Sequence, residues 1–271
     1  MFLNRSLTRP LAALVLALAP LAAQSVVIQP ARAEKTTETR TVPLAAGSTL
    51  KVHNLNGHIR VEAWDRAEVQ FTGEFRPSSE GEQVKVVLAP VGGGLEIRGE
   101  YPKHDGWGSY RGPQCQMALK VPRQVRATLD TVNGRITLDG TRGAAVATTV
   151  NGAIEGQGLE EGLKARTVNG AIRLERVTGA VDLQTVNGAI TASGLDGKGG
   201  GIRAETVNGG IRLQTTGLKG RLKASAMNGK ISFHAKGAEQ VEVMKHRVSA
   251  VFPGSDQVIE VSTVNGGITL D

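Results

Sequence analysis

Apolar and polar residues alternate along the second half of the chain with a period of two. In "TVNGAIRLERVTGAVDLQ" (residues 167–184), Ile172 and Leu174 alternate with charged residues, and Val181 and Leu183 repeat the pattern. Period-two alternation between glycine-containing turns predicts β-strands, about two in each such stretch. No segment after residue 33 has a convincing helical periodicity, so the pattern predicts an all-β fold.

A hexapeptide interrupts this alternation at regular intervals. "TVNGAI" occurs at residues 149–154, 167–172 and 185–190, and five related versions occur elsewhere. Eight of the ten asparagines belong to the Asn-Gly pair of this motif, so the pair organises the chain. Successive motif asparagines from Asn133 onward are 18, 18, 18, 21, 20 and 37 residues apart, which indicates a repeat architecture. The pairs predicted to form a repeated structural corner are Asn133-Gly134, Asn151-Gly152, Asn169-Gly170, Asn187-Gly188, Asn208-Gly209, Asn228-Gly229 and Asn265-Gly266.

Two folds can use such a repeat. Asn-Gly is a strong hairpin signal because both residues tolerate positive φ, and hairpins would give an antiparallel meander. In a β-solenoid each period is one coil, and equivalent strands stack in parallel at about 4.8 Å. Identical corners have a physical cause only in the solenoid, where asparagine amides lie above one another and form a hydrogen-bonded ladder. The insertion "GLDGKGGG" (194–201) lengthens one coil and leaves the motif intact. A solenoid tolerates such an insertion on one face.

The sequence therefore predicts a single-stranded parallel β-solenoid (β-helix), right-handed, with about 18–21 residues per coil. Residues 126–271 are expected to form about seven coils, one of which, near residues 241–251, lacks the motif. The apolar residues of the alternating pattern change from odd-numbered positions at Leu183 to even-numbered positions at Val186, which predicts a bend between them. The chain ends just after "TVNGGITLD", so an uncovered last strand is expected, with self-association through this C-terminal coil as one consequence.

Residues 34–125 are predicted to be less regular. We expect wider, irregular β coils that also cap the apolar end of the solenoid, with stacking that begins at the divergent corner Asn56-Gly57. An aromatic loop occupies residues 101–116. Residues 1–33 have a basic start, an apolar stretch and "ARA", which together predict a secretory signal peptide cleaved after Ala33. The alternative is a retained membrane anchor, which Pro20 disfavours by interrupting the apolar run.

Charge and composition narrow the function. The first 33 residues contain three arginines and no acid, so cleavage lowers the formal net charge from +7 to +4, with no transmembrane segment expected afterwards. No dense Lys/Arg cluster with interleaved aromatics occurs, so no nucleic-acid partner is predicted. Cys115 is the only cysteine, which excludes an internal disulfide framework. No aromatic residue occurs from residue 111 to 232, so the predicted interior is narrow and aliphatic.

The repeated "TVNGxI", the leading "GSTLKVHNLNGHIRVEAWD" and the N-terminal signal peptide resemble the secreted bacterial β-strand-repeat proteins called "putative adhesins", a family built on a domain of unknown function. The resemblance covers about residues 47–271. It implies a β-solenoid, a location in the periplasm, on the cell surface or outside a bacterium, and no established catalytic residues. Because fold does not imply function, the word adhesin describes an architecture here.

The aromatic loop contains the candidate ligand-binding residues. Aromatic rings beside polar groups suit the faces and hydroxyls of sugars, and exposed loops on rigid scaffolds often bind ligands. The structural alternative is that the rings plug the end of the solenoid or fold over its side. The candidate residues are Tyr101, His104, Trp107, Tyr110 and Arg111.

Catalytic chemistry finds little support. His104 and Asp105 are adjacent and do not orient one another towards Cys115 as a triad requires. The five histidines are scattered, and "GLDGKGGGI" lacks the acids of a calcium repeat, so no metal or cofactor is predicted. A polysaccharide lyase or hydrolase on this fold would need acidic residues at equivalent positions of neighbouring coils. One such position is occupied in successive coils by Glu155, Arg173 and Thr191, so no column of acids forms there. The sequence predicts no enzyme.

The expected function is an exported, non-enzymatic envelope module that is structural or mediates adhesion to an unidentified envelope protein or glycan. One alternative is a carbohydrate-binding or polysaccharide-active protein with its site near residues 101–115. The other is a subunit of a self-assembling filament.

Overall fold

The computed structural model describes residues 24–30, 34–103 and 111–271. These residues form 24 strands and no helix, which confirms the all-β prediction. The N-terminal strands are β1 (Val26–Ile28), β2 (Thr36–Pro43), β3 (Thr49–His53), β4 (Ile59–Trp64), β5 (Glu68–Arg76), β6 (Lys85–Val91), β7 (Gly94–Glu100) and β8 (Gln114–Pro122). The repeat region contains β9 (Arg126–Asn133), β10 (Ile136–Asp139), β11 (Ala145–Asn151), β12 (Ile154–Leu159), β13 (Leu163–Asn169), β14 (Ile172–Val177), β15 (Val181–Asn187), β16 (Ile190–Leu195), β17 (Ile202–Asn208), β18 (Ile211–Leu213), β19 (Gly220–Ala226), β20 (Ile231–Phe233), β21 (Glu239–Met244), β22 (Arg247–Phe252), β23 (Val258–Asn265) and β24 (Ile268–Leu270).

Two sheets contain all of these strands. Sheet A has the order β1-β6-β7-β3-β9-β11-β13-β15-β17-β23-β19-β22-β21, and sheet B has the order β2-β5-β8-β4-β10-β12-β14-β16-β18-β24-β20. Each coil contributes one strand to sheet A and, after the Asn-Gly corner, one strand to sheet B. Equivalent residues pair in parallel, as Thr149 with Thr167 and Ile154 with Ile172. The predicted parallel β-solenoid is thereby confirmed, whereas its handedness stays a prediction.

Stacked aliphatic side chains fill the space between the sheets. Ile136, Ile154 and Ile172 follow one another in register along sheet B, and each is fully buried. Alanines and leucines on sheet A, such as Ala165 and Leu183, face the same core. Because each coil contributes only a few small side chains, the interior is narrow and aliphatic in the coils without aromatic residues.

The change in the apolar alternation between Leu183 and Val186 is not caused by the predicted bend. Strand β15 runs without interruption through residues 181–187, so the expected bend between Leu183 and Val186 is wrong. Alternation continues in this strand: Leu183 and Thr185 are buried, whereas Val186 is exposed. The inward position next to the corner is therefore a threonine, and the valine beside it faces the solvent.

The C-terminal coil lies inside the stack and not at its end. Strand β23 pairs in parallel with β17 on one side and β19 on the other, and β24 lies between β18 and β20. The expectation of an uncovered last strand is therefore wrong, and so is self-association through this coil, because both of its edges are already paired. Residues 241–251 lie in the antiparallel hairpin β21–β22 at the edge of sheet A and form no coil of their own.

The N-terminal part continues the parallel stack and ends in antiparallel strands. Strands β3 and β4 pair in parallel with β9 and β10 on one side and with β7 and β8 on the other, so the stack extends one layer beyond the Asn56-Gly57 corner. Antiparallel pairing follows, of β5 with β8 and of β6 with β7, and the predicted irregular coils and cap of residues 34–125 stay a prediction. Strand β1 pairs with β6 although it lies within the predicted signal peptide, whose residues 1–23 and 31–33 are outside the described residues.

The corner opposite the motif contains one residue in a strained backbone conformation. Gly158, Arg176 and Gly194 occupy equivalent positions in consecutive coils, and all three have positive φ, 62°, 52° and 62°. A left-handed conformation disfavours any residue with a Cβ, so only Arg176 is strained. Its ion pair with Glu175 is 3.9 Å long and exposed, and therefore compensates little.

We expect Arg176→Gly to raise the free energy of unfolding by about 1 kcal/mol and the melting temperature by about 2–4 °C, because it relieves this strain. The reverse change at the equivalent position, Gly158→Arg, should lower the stability by a similar amount. Thermal and urea unfolding would measure both. A lower melting temperature for Arg176→Gly would contradict the assigned strain.

Candidate interaction surface

The motif threonine joins each coil to its neighbour. The hydroxyl of Thr167 donates a 2.9 Å hydrogen bond to the backbone carbonyl of Gly152. The same bond joins Thr131 to Gly57, Thr149 to Gly134, Thr185 to Gly170, Thr206 to Gly188 and Thr263 to Gly209, at 2.9–3.3 Å. A buried hydroxyl needs such a partner, which explains why threonine occupies an inward position of an otherwise apolar strand.

The motif asparagines form a ladder along the corner. Each side-chain Nδ2 donates to the Oδ1 of the asparagine in the adjacent coil, and all seven bonds measure 2.8–3.0 Å. Their order is Asn56, Asn133, Asn151, Asn169, Asn187, Asn208, Asn265 and Asn228. Within the ladder each amide is both donor and acceptor, so the exposed corner has one repeated polar arrangement.

The motif glycine is required by close packing and not by backbone conformation. A Cβ placed on Gly170 would lie 1.9 Å from the carbonyl oxygen of Gly152. Gly134, Gly188 and Gly209 have the same obstruction, at 1.9–2.0 Å from the oxygen of the neighbouring motif glycine. None of these four glycines has positive φ, so the tight-turn explanation of Asn-Gly does not apply to them.

Tyr101 covers the start of the ladder. Its hydroxyl accepts a 3.1 Å hydrogen bond from the Asn56 backbone N–H and lies 2.5 Å from Oδ1 of Asn54. Asn54 is itself buried and donates to the carbonyls of Gly57 and Cys115. Burial is the main cause that raises the pKa of the Tyr101 hydroxyl above its ordinary value. This predicted ligand-binding residue thus has its polar group engaged within the protein.

The other candidates in the aromatic loop are only partly described. His104, Trp107 and Tyr110 lie outside the described residues, as does Asp105. Arg111 has an exposed side chain, while its backbone exchanges hydrogen bonds with Ser79, from the Ser79 N–H at 2.9 Å and to the Ser79 Oγ at 3.3 Å. Their role in ligand binding stays a prediction.

Cys115 lies under the first corner with no exposed surface. Burial raises the pKa of its thiol to about 12, so the sulfur is neutral near pH 7 and unsuited to nucleophilic attack. Among the described residues no group of three or more His, Cys, Asp or Glu side chains is arranged to hold a metal ion.

A shallow groove of about 540 Å³ follows the outer face of sheet A beside the ladder. One wall is the row of motif valines, including Val150, Val168, Val186 and Val207, which are 39–40% exposed. Polar and charged residues two positions earlier in each strand form the other wall. A valine occupies this solvent-facing position in every complete motif. That repetition is the feature of the sequence from which the groove could have been predicted.

A second concave surface surrounds Trp64 at the opposite corner. The indole N–H donates to the Glu68 carbonyl at 2.8 Å, and the Arg66 guanidinium lies 5.0 Å from the ring centroid. Arg123 binds Asp65 through two hydrogen bonds, which lower the pKa of that carboxyl group. The cavity of about 310 Å³ combines an aromatic ring with charged side chains. No repeat pattern marks this cavity, so only the tryptophan itself could have indicated it from the sequence.

On the outer face of sheet B, Asp139, Glu155 and Glu175 line one cavity together with Arg173. Glu155 lies 3.6 Å from the guanidinium groups of both Arg135 and Arg173. No helix in the described part of the chain is long and apolar enough to cross a membrane.

Comparison with known proteins agrees with this architecture. Residues 123–271 match the family described as Toastrack DUF4097, and since they make up more than half of the chain, the protein belongs to this family of unknown function. No curated protein matches it.

Solved structures of similar fold come from several bacteria. A "putative adhesin" from Bacteroides fragilis has a TM-score of 0.50 at 14% identity, over 88% of this chain and 99% of the other. A "putative cell adhesion protein" from Clostridium sporogenes has a TM-score of 0.41 at 13% identity, with the same shares of the two chains. At such identities the likeness concerns the fold alone.

Replacing Asn169 with alanine should lower the free energy of unfolding by about 1–2 kcal/mol, because it removes two ladder hydrogen bonds. Asn228 ends the ladder and has only one such bond, so Asn228→Ala is the matched control and should cost about half as much. Urea unfolding of both variants measures the difference. Equal costs would contradict a ladder in which each bond contributes.

The Cys115 thiol should react with a thiol-specific disulfide reagent at least about a hundredfold more slowly in the folded protein than in the urea-unfolded protein. Burial and the raised pKa both disfavour the reactive thiolate. The release of the coloured product, followed at pH 8, measures the two rates. Similar rates in both states would show that the thiol is accessible.

Proposed function

We propose that this protein is an exported, non-enzymatic module that attaches to a component of the cell envelope. The observation that carries the proposal is how the repeated residues are used. The threonine, asparagine and glycine of each motif bind the neighbouring coil, as in Thr167 to Gly152 and Asn169 to Asn151. Such a scaffold offers long surfaces to a partner.

The proposed location of the protein is the cell envelope. It rests on the signal-peptide pattern of residues 1–33. The comparison proteins called adhesins are consistent with attachment, and this protein would act in the periplasm, on the cell surface or outside the cell. Its partner would be an envelope protein or glycan.

Glycan binding is a second candidate, favoured by the cavity at Trp64. A partly exposed aromatic ring beside Asp65, Arg66 and Arg123 offers both an apolar face and hydrogen-bonding groups, which sugars require. The loop at residues 101–116 would provide further rings, as its sequence suggests.

Co-sedimentation with separated peptidoglycan, outer-membrane lipid and capsular polysaccharide tests both candidates. We expect the purified protein to pellet with one fraction. Loss of pelleting in Trp107→Ala/Tyr110→Ala would assign the site to the loop, and loss in Trp64→Ala would assign it to the corner, provided that each variant keeps the melting temperature of the parent. Val91→Ala, at an exposed position that does not line the Trp64 cavity, is the control.

Absence of binding to every fraction, by protein that is folded and monodisperse, would refute attachment to these envelope components. Release of reducing ends or unsaturated products from any polysaccharide in the same assay would refute the non-enzymatic part of the proposal.

A further inference from the structure

The valine is the one position of the "TVNG" tetrapeptide that has no structural partner. The threonine, asparagine and glycine contact the adjacent coil, whereas Val186 points to solvent and is 39% exposed. This position is nevertheless apolar in all eight coils. Its occupants, in spatial order, are Leu55, Val132, Val150, Val168, Val186, Val207, Val264 and Met227. An apolar row of this length on the outer face of a sheet marks an interaction surface.

A column of polar residues follows the row two positions earlier in each strand and forms the other wall of the groove. Around the centre its order is Asp130, Thr148, Arg166, Gln184, Glu205, Ser262 and Ser225. If a second copy of the column runs in the opposite direction, with Gln184 facing Gln184, the residues that face each other are complementary. Arg166 then meets Glu205, Thr148 meets Ser262, and no two like charges meet between Asp130 and Ser225.

We propose that this groove binds a second copy of the chain, with the two solenoid axes antiparallel and a two-fold axis that lies in the interface along β15 and passes over both Val186 and Gln184. The coils of both copies have the same spacing, about 4.8 Å, so each apolar side chain of the row meets one from the other copy. Val186 meets Val186, and Val168 meets Val207. In each interface Arg166, which donates to Gln184 of its own chain at 3.0 Å, then also meets Glu205, which pairs with Arg203 of its own chain at 2.8 Å, and this contact occurs twice. This inference does not depend on the proposed attachment to the envelope.

Neighbouring residues limit the width of this contact. A parallel arrangement would bring the charged column against the asparagine ladder, whose amides are already bonded to one another. The next column outward contains Lys164, Asp182 and Arg203, and reversal there would oppose Lys164 to Arg203 and Asp182 to its own copy. The contact is therefore confined to the groove itself.

The size of the groove predicts weak association. From Val132 to Met227 the row crosses seven strands, which is about 29 Å, and two columns are about 10 Å wide. The footprint of roughly 300–400 Å² per copy is about half of what a stable interface buries on each partner. A dissociation constant in the high micromolar range is expected, so the dimer would form where the protein is concentrated.

Sedimentation equilibrium of the protein expressed from its full-length sequence, from about 5 µM to 1 mM, tests the proposal. The parent should show a monomer–dimer equilibrium. Val186→Lys places two ammonium groups together at the two-fold axis and should weaken dimerisation at least about tenfold. Val91→Lys introduces the same change at a 47% exposed valine outside the groove and should leave it unchanged. Melting temperatures identify any variant that fails to fold.

Charge exchange tests the antiparallel register. Arg166→Glu alone places two glutamates opposite Glu205 and should weaken the dimer about fivefold, and Glu205→Arg should do the same. The double variant restores both pairs and should return to within about twofold of the parent. Additive weakening in the double variant would overturn the register.

A protein that is monomeric at 1 mM, or a dimer unaffected by Val186→Lys, would overturn the proposal. If a monomeric parent pelleted with an envelope fraction and Val186→Lys abolished that binding, the groove would belong to a foreign partner and self-association would again be refuted.

Discussion

The structure depends on the close approach of one corner to the next. At Gly170 there is no room for a Cβ, because the carbonyl oxygen of Gly152 would lie 1.9 Å from it. This approach allows the threonine hydroxyl to reach the same carbonyl and the asparagine amide to reach its counterpart. Once the corners coincide, the strands on both sides are held in register, and a one-residue slip would turn every buried side chain outward. The isoleucine rows of sheet B follow from the same constraint.

Such a scaffold leaves function to the surfaces that the coil-to-coil bonds do not use. They include the groove lined by the motif valines, the cavity around Trp64 and the loop at residues 101–116. Each has a different chemistry. The groove is apolar with charges of both signs beside it, the cavity combines an aromatic ring with arginines, and the loop combines aromatic residues with a histidine. Because the repeats fix the distance between coils, the groove presents groups at a constant spacing, which suits a partner with the same spacing.

Much of the fold was predictable because it is repeated. The spacing of Asn133, Asn151 and Asn169 predicted the period, and the alternation in residues 167–184 predicted two strands per coil. The candidate sites were less accessible to this reasoning. Tyr101 was expected to bind a ligand, yet its hydroxyl bonds Asn54 and Asn56. Nothing in the local sequence indicates that partner, because the two segments are more than forty residues apart.

The sequence by itself determined the period, the corner and which residues alternate, since these depend on local spacing and on side-chain size. Only the tertiary structure decided that Thr185 faces the core while Val186 faces solvent, because that choice depends on a carbonyl in the adjacent coil. It also decided that the coil of Asn265 lies between those of Asn208 and Asn228. Chain order does not specify which strand edge is still unpaired when the last coil folds, and pairing with both open edges satisfies more backbone groups than pairing with one.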